Sequence, residues 1–319
     1  MATLPPSGEQ HEIAAGDYRA VAVEVGGGLR ELTHAGRPLL DPFDVEALPD
    51  GGRGQVLAPW PNRLRDGRWT WQGRGLQLPV SDLGKGNANR GLVRWAGWTA
   101  RLQAGSRVEL AHRLQPQPGY PFRLDLLSTF EVDAERGLTA ELRATNAGAA
   151  PAPVALGVHP YLAPPHGGPV DECTLRVPAR SRVVVDERAI PAGTEPVDGT
   201  DVDFRSPRRI GGSRLDLAYG DLEPDADGVV RVVLAAPNGE ATELWSTSGA
   251  AWLQVYTGDT LAPERRRRGL AVEPMTAPAN ALASGEGLVV LEPGRRSPCG
   301  GACGDADGLL SRATYVPLR

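Results

Sequence analysis

The stretches RVELAHRL (residues 107–114), LDLLSTFEV (124–132) and LTAELRATN (138–146) decide the fold class. In each of them apolar residues alternate with polar ones, which is typical of a β-strand with one buried face. Glycine, proline or aspartate stands between one stretch and the next, and these residues favour turns. Short strands that follow one another across turns predict an all-β sandwich or barrel.

The same pattern continues in both directions. The segment at 68–79 is typical of a hairpin with its turn at Gly73 and Gly75. Further strand-like stretches lie at 21–25, 29–33, 153–162, 174–178, 182–186, 229–237, 241–246, 251–258, 270–274 and 288–293. We find no amphipathic helix of ordinary length, no repeat of fixed period and no interior linker. The sequence therefore predicts one continuous β-domain over residues 1–319, large enough for curved sheets with a concave, ligand-binding face.

Composition narrows the classes of function. The 319 residues carry a net charge of −5, a balance that predicts neither a nucleic-acid nor a membrane partner. No apolar stretch approaches the roughly 18 residues of a membrane span, and the N-terminus has no signal-peptide core. Three cysteines are too few for a disulfide scaffold, and their spacing does not favour zinc. We expect a cytoplasmic protein without a metal, as a monomer or weak homodimer.

Two side chains stand out as candidates for acid–base chemistry. His159 ends the apolar strand VALGV and is fixed by Pro160, which suits a group that acts at a pocket; a hydrogen-bonded structural histidine is the alternative. Glu273 interrupts the apolar run LAVEPM. A buried carboxylate there has a raised pKa, as a general base near neutral pH requires, whereas a solvated edge strand is the alternative.

Three polar residues are candidates for binding a carbohydrate. Asn62 and Arg63 follow the rigid sequence APWP, and the planar guanidinium of Arg63 suits sugar hydroxyls. Asp216 can accept hydrogen bonds from two adjacent hydroxyls. A structural salt bridge for Arg63 and an ordinary surface position for Asp216 remain open. Tryptophans can stack on a sugar, but most of the seven are expected in the core.

Taken in order, six segments resemble the aldose 1-epimerase family, also called galactose mutarotases. They are residues 54–79, 87–98, 156–162, 213–222, 253–261 and 267–282. The resemblance implies a large antiparallel β-supersandwich and an isomerase that interconverts the α and β anomers of a free aldose without a cofactor. It also implies that His159 is the general acid and Glu273 the general base, that Arg63, Asp216 and Gln254 bind the sugar, and that Asn62 shapes the site.

The chemistry of ring opening sets the protonation states that we expect. Glu273 removes the proton from the C1 hydroxyl while His159 protonates the ring oxygen, and each contributes about 10²–10⁴-fold. This requires an imidazolium at His159 and a carboxylate at Glu273. Their proximity favours that pair of states.

The sequence departs from the family pattern at two places that matter. The family usually has a histidine where this chain has Arg90. The fixed charge of Arg90 is expected to lower the pKa of His159, and predicts weak activity on plain galactose or glucose, or a preference for an anionic sugar. The C-terminal stretch at 297–319 is Gly- and Cys-rich, and we expect a divergent, disordered or loosely packed tail.

Other functions remain open. Arg90 and the unusual tail are compatible with a non-catalytic sugar-binding protein, although binding alone needs no acid–base pair. An epimerase for a phosphorylated or acidic hexose, or a polysaccharide lyase of related fold, is a further alternative. A lyase would release an unsaturated product that absorbs in the ultraviolet.

Overall fold

The computed structural model describes residues 4–247 and 249–296, and the backbone of 311–318. The first thirteen strands are β1 Gln10–Ala15, β2 Tyr18–Val23, β3 Leu29–His34, β4 Arg37–Pro38, β5 Val56–Leu57, β6 Arg63–Arg65, β7 Arg68–Trp71, β8 Arg74–Gln77, β9 Asn87–Asn89, β10 Thr99–Gln103, β11 Arg107–Leu114, β12 Leu124–Asp133 and β13 Gly137–Asn146.

Fourteen further strands follow in the described part of the chain. They are β14 Ala152–Val154, β15 Gly157–Val158, β16 Tyr161–Leu162, β17 Thr174–Arg176, β18 Ala179–Val185, β19 Pro191–Pro196, β20 Arg208–Arg209, β21 Asp216–Leu222, β22 Val230–Ala235, β23 Ala241–Ser246, β24 Trp252–Tyr256, β25 Leu270–Met275, β26 Val289–Leu291 and β27 Ser311–Leu318. The helices described are a 3-10 turn at Val170–Glu172 and α1 at Ala281–Ser284, neither of which is long or apolar enough to cross a membrane.

Two large antiparallel sheets dominate the architecture. One has nine strands in the order β10-β11-β12-β13-β27-β23-β22-β17-β20, and the other has eight, with β19-β18-β21-β24-β25-β15-β5 in line and β16 beside β25. A four-stranded meander of β1 to β4 and three two-stranded ribbons complete the fold. The predicted all-β, antiparallel supersandwich is confirmed.

A single hydrophobic core joins the two large sheets. Leu126 and Leu142 enter it from the nine-stranded sheet, and Leu253, Val255 and Val272 enter it from the eight-stranded sheet. Because successive side chains of a strand point to opposite faces, the same strands present their other residues away from the core. On the eight-stranded sheet, this second face carries the polar residues that the sequence singled out.

The expectation for the C-terminal tail is wrong for its last part. Ser311–Leu318 forms β27, which pairs with both β13 and β23 and so joins the two halves of the nine-stranded sheet. The physical reason is that β13 and β23 would otherwise both end as open edges, whose unpaired backbone groups β27 satisfies. Residues 297–310 lie outside the described residues.

Candidate active site

Strand register places three of the predicted residues in one row across the eight-stranded sheet. Gln254 on β24 lies directly opposite Glu273 on β25. On the other side of β25, Gly157 pairs with Met275 and Tyr161 pairs with Ala271, so His159, midway between them, comes level with Glu273. Residues far apart in the sequence therefore meet because the ladder fixes which of them are neighbours.

His159 and Glu273 form a close, deeply buried pair. His159 Nε2 is 3.2 Å from Glu273 Oε1. The distance is short enough for a hydrogen bond, but the angles are not suitable for one. Neither ring nitrogen of His159 has a hydrogen-bond partner among the described residues. Glu273 is 5% exposed and lines a surface cleft, whereas His159 is 0% exposed and contributes no surface to it. The two groups lie side by side, and the imidazole lies beneath the cleft floor.

The loop before β6 brings Asn62 and Arg63 to the cleft. Asn62 has a positive φ of 54°, and its Oδ1 accepts a hydrogen bond of 2.8 Å from the Arg63 backbone N–H. The Asn280 backbone N–H donates to the Arg63 carbonyl at 2.6 Å. The Arg63 Nε also pairs with Asp82 at 2.8 Å, so Arg63 has the structural salt bridge that the sequence left open and a place in the cleft wall as well.

A chain of amide hydrogen bonds crosses the cleft floor. Asn62 Nδ2 donates to Gln254 Oε1 at 3.1 Å, and Gln254 Nε2 donates to Asp216 Oδ1 at 2.8 Å. This chain fixes the orientation of both amides. Because one oxygen of Asp216 still has no protein donor among the described contacts, it is available to a ligand hydroxyl.

Arg90 is the cleft residue that no partner restrains. Its side chain makes no hydrogen bond or ion pair with the described residues. The position of the Arg90 guanidinium can be stated relative to Gly52. A Cβ atom added to Gly52 would lie 2.8 Å from His159 Cδ2 and 3.0 Å from Arg90 Nη1. The guanidinium and the imidazole are therefore inside the roughly 6 Å over which a charge shifts a neighbouring pKa.

Burial reverses the protonation states that we expected for the pair. Desolvation is the largest effect on both groups: it lowers the pKa of His159 well below its usual value and raises the pKa of Glu273 to about 8. The charges of Arg90 and Arg53 lower the pKa of His159 further, which confirms the predicted effect of Arg90. The expected imidazolium–carboxylate pair is thus wrong near neutral pH, where burial keeps the proton on Glu273 and leaves His159 neutral.

The sequence did not predict a stack of three side chains, in which Tyr161 lies between His159 and Arg53. The His159 ring stacks on Tyr161 with ring centroids 5.2 Å apart and an angle of 9° between planes. The guanidinium of Arg53 lies 4.1 Å from the centroid of the Tyr161 ring. Arg53 is 2% exposed and is paired with Asp41 and Asp50. The motif His-Pro-Tyr hinted at Tyr161, but nothing near Arg53 in the sequence pointed to this position.

The cleft is open and polar, with a cavity volume of about 120 Å³. It brings together six of the seven predicted site residues, namely Asn62, Arg63, Arg90, Asp216, Gln254 and Glu273. Tyr256 and Leu261 also line it and were not predicted, although Tyr256 lies on the same strand face as Gln254. Of the candidate tryptophans, Trp60, Trp69 and Trp98 are buried in the core, and none lines the cleft. The described residues offer no group of three or more His, Cys, Asp or Glu placed to hold a metal ion.

The raised pKa of Glu273 makes a prediction about stability. The Glu273 carboxyl group holds its proton more tightly in the folded protein than in the unfolded chain, because its pKa rises from 4.5 to about 8. The contribution of this protonated group to the free energy of unfolding is therefore complete at pH below 4.5 and is lost as the pH rises through about 8. We therefore expect Glu273→Gln to raise the melting temperature relative to the parent protein near pH 9, and less so near pH 5. The exposed Glu135→Gln serves as control, and an equal effect at both pH values would contradict the argument.

Comparison with known proteins agrees with this architecture. The family model described as aldose 1-epimerase matches residues 9–298. The uncharacterized protein YihR of Escherichia coli K12 is 36% identical over 289 residues, which are 91% of each chain. Among solved structures, an aldose epimerase homologue from C. elegans superposes with a TM-score of 0.82 at 19% identity, covering 97% of this chain and 98% of that one. Galactose 1-epimerase from Lactobacillus acidophilus gives 0.78 at 20% identity, covering 96% and 92%.

These matches define the class of protein: a β-supersandwich with a polar cleft on one face of its eight-stranded sheet. The chain belongs to the aldose 1-epimerase family. The structural neighbours, at 20% identity or less, support the fold alone.

Proposed function

We propose that this protein is a mutarotase, which opens and recloses the ring of a free aldose. The observation that carries the proposal is the imidazole–carboxyl pair with Nε2 and Oε1 3.2 Å apart at the floor of a polar cleft. Pure sugar binding has no use for two ionisable groups buried side by side. Their burial is costly, and such costs are commonly retained where the groups do chemistry.

The proposed reaction moves one proton in each direction. Glu273 takes the proton of the C1 hydroxyl, the C1–O5 bond breaks as the C1=O1 bond forms, and His159 gives its proton to O5. The open aldehyde rotates about the C1–C2 bond, and the reverse transfers close the ring on the other face. Arg63, Asp216 and Gln254 hold the hydroxyls so that these transfers occur at fixed distances.

The protonation states that burial favours fit this cycle at its midpoint. When the sugar is open, His159 is neutral and Glu273 is protonated, which is the distribution that burial favours. The pair carries one proton in both the ring-closed and the ring-open stages, so the cycle needs no net proton uptake.

The direct test is the rate of mutarotation of freshly dissolved α-glucose and α-galactose, followed by polarimetry with and without the protein. Acceleration that depends on protein concentration supports the proposal. Saturable sugar binding without acceleration on any sugar of a panel of neutral and anionic aldoses would instead identify a binding protein.

The one-proton pair also predicts a pH dependence. Above about pH 8 the pair loses its proton as Glu273 ionises, so no proton remains for the ring oxygen. We expect kcat/KM to fall by about tenfold for each pH unit above that value. The profile is measured by exchange spectroscopy at equilibrium, which needs no pure anomer. A rate that keeps rising through pH 9 after correction for the base-catalysed background would contradict the role given to the pair.

A second candidate is an epimerase for a phosphorylated or acidic hexose, favoured by one observation. Arg90 lines the cleft without a carboxylate partner among the described residues. An unpaired guanidinium in a cleft wall favours an anionic ligand. Comparing kcat/KM for a sugar and for its anionic counterpart distinguishes the two candidates.

A further inference from the structure

A second depression lies on the same face of the eight-stranded sheet as the cleft, one row of residues further along. Trp252 on β24 is two residues from Gln254, and its register partner is Met275, two residues from Glu273. On the neighbouring strand β21, Ala218 pairs with Gln254, and Gly220 lies two residues further along. Gly220 in turn pairs with Ser181 on β18. Residues two apart on a strand share a face and are about 7 Å apart. The two depressions are therefore neighbours on one surface.

The floor of the second depression is shaped by a glycine. A Cβ at Gly220 would lie 3.1 Å from Ser181 Oγ and 3.8 Å from Trp252 Nε1. The missing side chain thus leaves room between a hydroxyl and an indole N–H. The depression has a cavity volume of about 420 Å³, compared with about 120 Å³ for the cleft.

Ser181 carries an unmet hydrogen-bonding requirement at this place. The residue is 5% exposed, and its Oγ is buried without a hydrogen-bond partner in the described part of the chain. Buried hydroxyls are normally paired, and an unpaired one destabilises the fold unless something else satisfies it. Ser181 lines the depression, and its Oγ lies beside Gly220 just under the surface. A ligand hydroxyl needs only a small shift of this side chain to pair with it.

The remaining walls define the chemistry of that ligand. Trp252 supplies an aromatic surface, backed by Val183, Ala218 and Met275. The carboxylates of Asp221 and Glu286 line the depression, whereas no arginine or lysine does so among the described residues. An aromatic surface suits the C–H face of a pyranose, and carboxylates accept hydrogen bonds from its hydroxyls. The absence of cationic side chains from this lining disfavours an anionic sugar, in contrast to the cleft with its two arginines.

We propose that the depression at Trp252, Ser181 and Gly220 is a second binding site, for a neutral or amino-bearing pyranose. It is independent of the mutarotase chemistry, since it contains neither His159 nor Glu273. A protein with this second site can hold a sugar beside the one in the cleft.

The test uses methyl glycosides, which have no free anomeric hydroxyl and cannot be isomerised. Methyl glucoside, methyl glucosaminide and methyl glucuronide are titrated into the 15N-labelled full-length protein. The indole N–H signal of Trp252, assigned from its loss in Trp252→Phe, is followed. We expect it to shift and saturate with the first two ligands and not with the glucuronide. The shift should persist in Asp216→Ala, which weakens the cleft.

Two variants separate the site from a general effect. Asp221→Asn combined with Glu286→Gln changes only exposed side chains, and should raise the dissociation constant read at Trp252 about tenfold or more. Glu135→Gln, on a distant hairpin, should leave it unchanged. The proposal is overturned if the Trp252 signal does not move, if it moves only while the cleft is intact, or if the double variant binds as the parent does.

Discussion

Glu273→Gln is expected to lower the turnover number for mutarotation by about 10²–10⁴-fold, because an amide cannot take the proton from the C1 hydroxyl. Glutamine has nearly the same shape and keeps a carbonyl oxygen in the cleft floor, so the affinity for the sugar should change little. His159→Asn should reduce turnover by a similar factor, since no group then protonates the ring oxygen. Polarimetry gives the rates, and calorimetric titration gives the affinities.

The effects of the two substitutions on the turnover number should not be additive. His159 and Glu273 act in one concerted transfer, so the double variant is expected to be about as slow as the slower single variant. Glu243→Gln is the matched control: Glu243 is also a largely buried strand carboxylate whose pKa is raised by burial, but it lies on the nine-stranded sheet beside Arg231. It should keep full activity. A Glu273→Gln variant that retained more than about a tenth of the parent turnover would exclude Glu273 as the base.

The periodicity of the sequence was enough to predict many of the strands, but not β1, β10 or β19. The stretch at 107–114 became β11 with the same bounds, and those at 124–132 and 138–146 became β12 and β13 with changes of one residue. Local alternation succeeds here because each strand has one face on the core. It failed for β27, since that strand is defined by two partners more than sixty residues away along the chain, β13 and β23.

The members of the cleft were predictable, but their electrostatics were not. Glu273 stands at a polar position between buried apolar neighbours, which a strand pattern reveals, whereas Gln254 was predicted only from the resemblance to the family. Nothing local says that His159 is fully buried or that Arg53 stands behind it through Tyr161. The pKa of a group depends on what surrounds it from every side, and these surroundings come from segments about a hundred residues apart. For this reason the sequence identified the two members of the pair but not which of them holds the proton.

Arg90→His is expected to reverse the preference of the enzyme between anionic and neutral aldoses. Loss of the fixed charge removes one of the effects that lower the pKa of His159. A more basic imidazole more readily holds the proton that it gives to the ring oxygen, so kcat/KM for galactose or glucose should rise by about 10-fold or more. The same variant should lose about 10-fold for a 6-phosphorylated or acidic hexose, because a charge-assisted contact is lost.

Arg90→Lys separates charge from shape in this prediction. Lysine keeps the charge but not the planar guanidinium, so it should retain the depressed pKa of His159 while weakening a two-pronged contact with an anion. The pKa of His159 in all three proteins can be measured from the ring resonances in NMR. If Arg90→His raised neither that pKa nor the rate on neutral sugars, the guanidinium would not be what restrains His159, and burial alone would account for its low basicity.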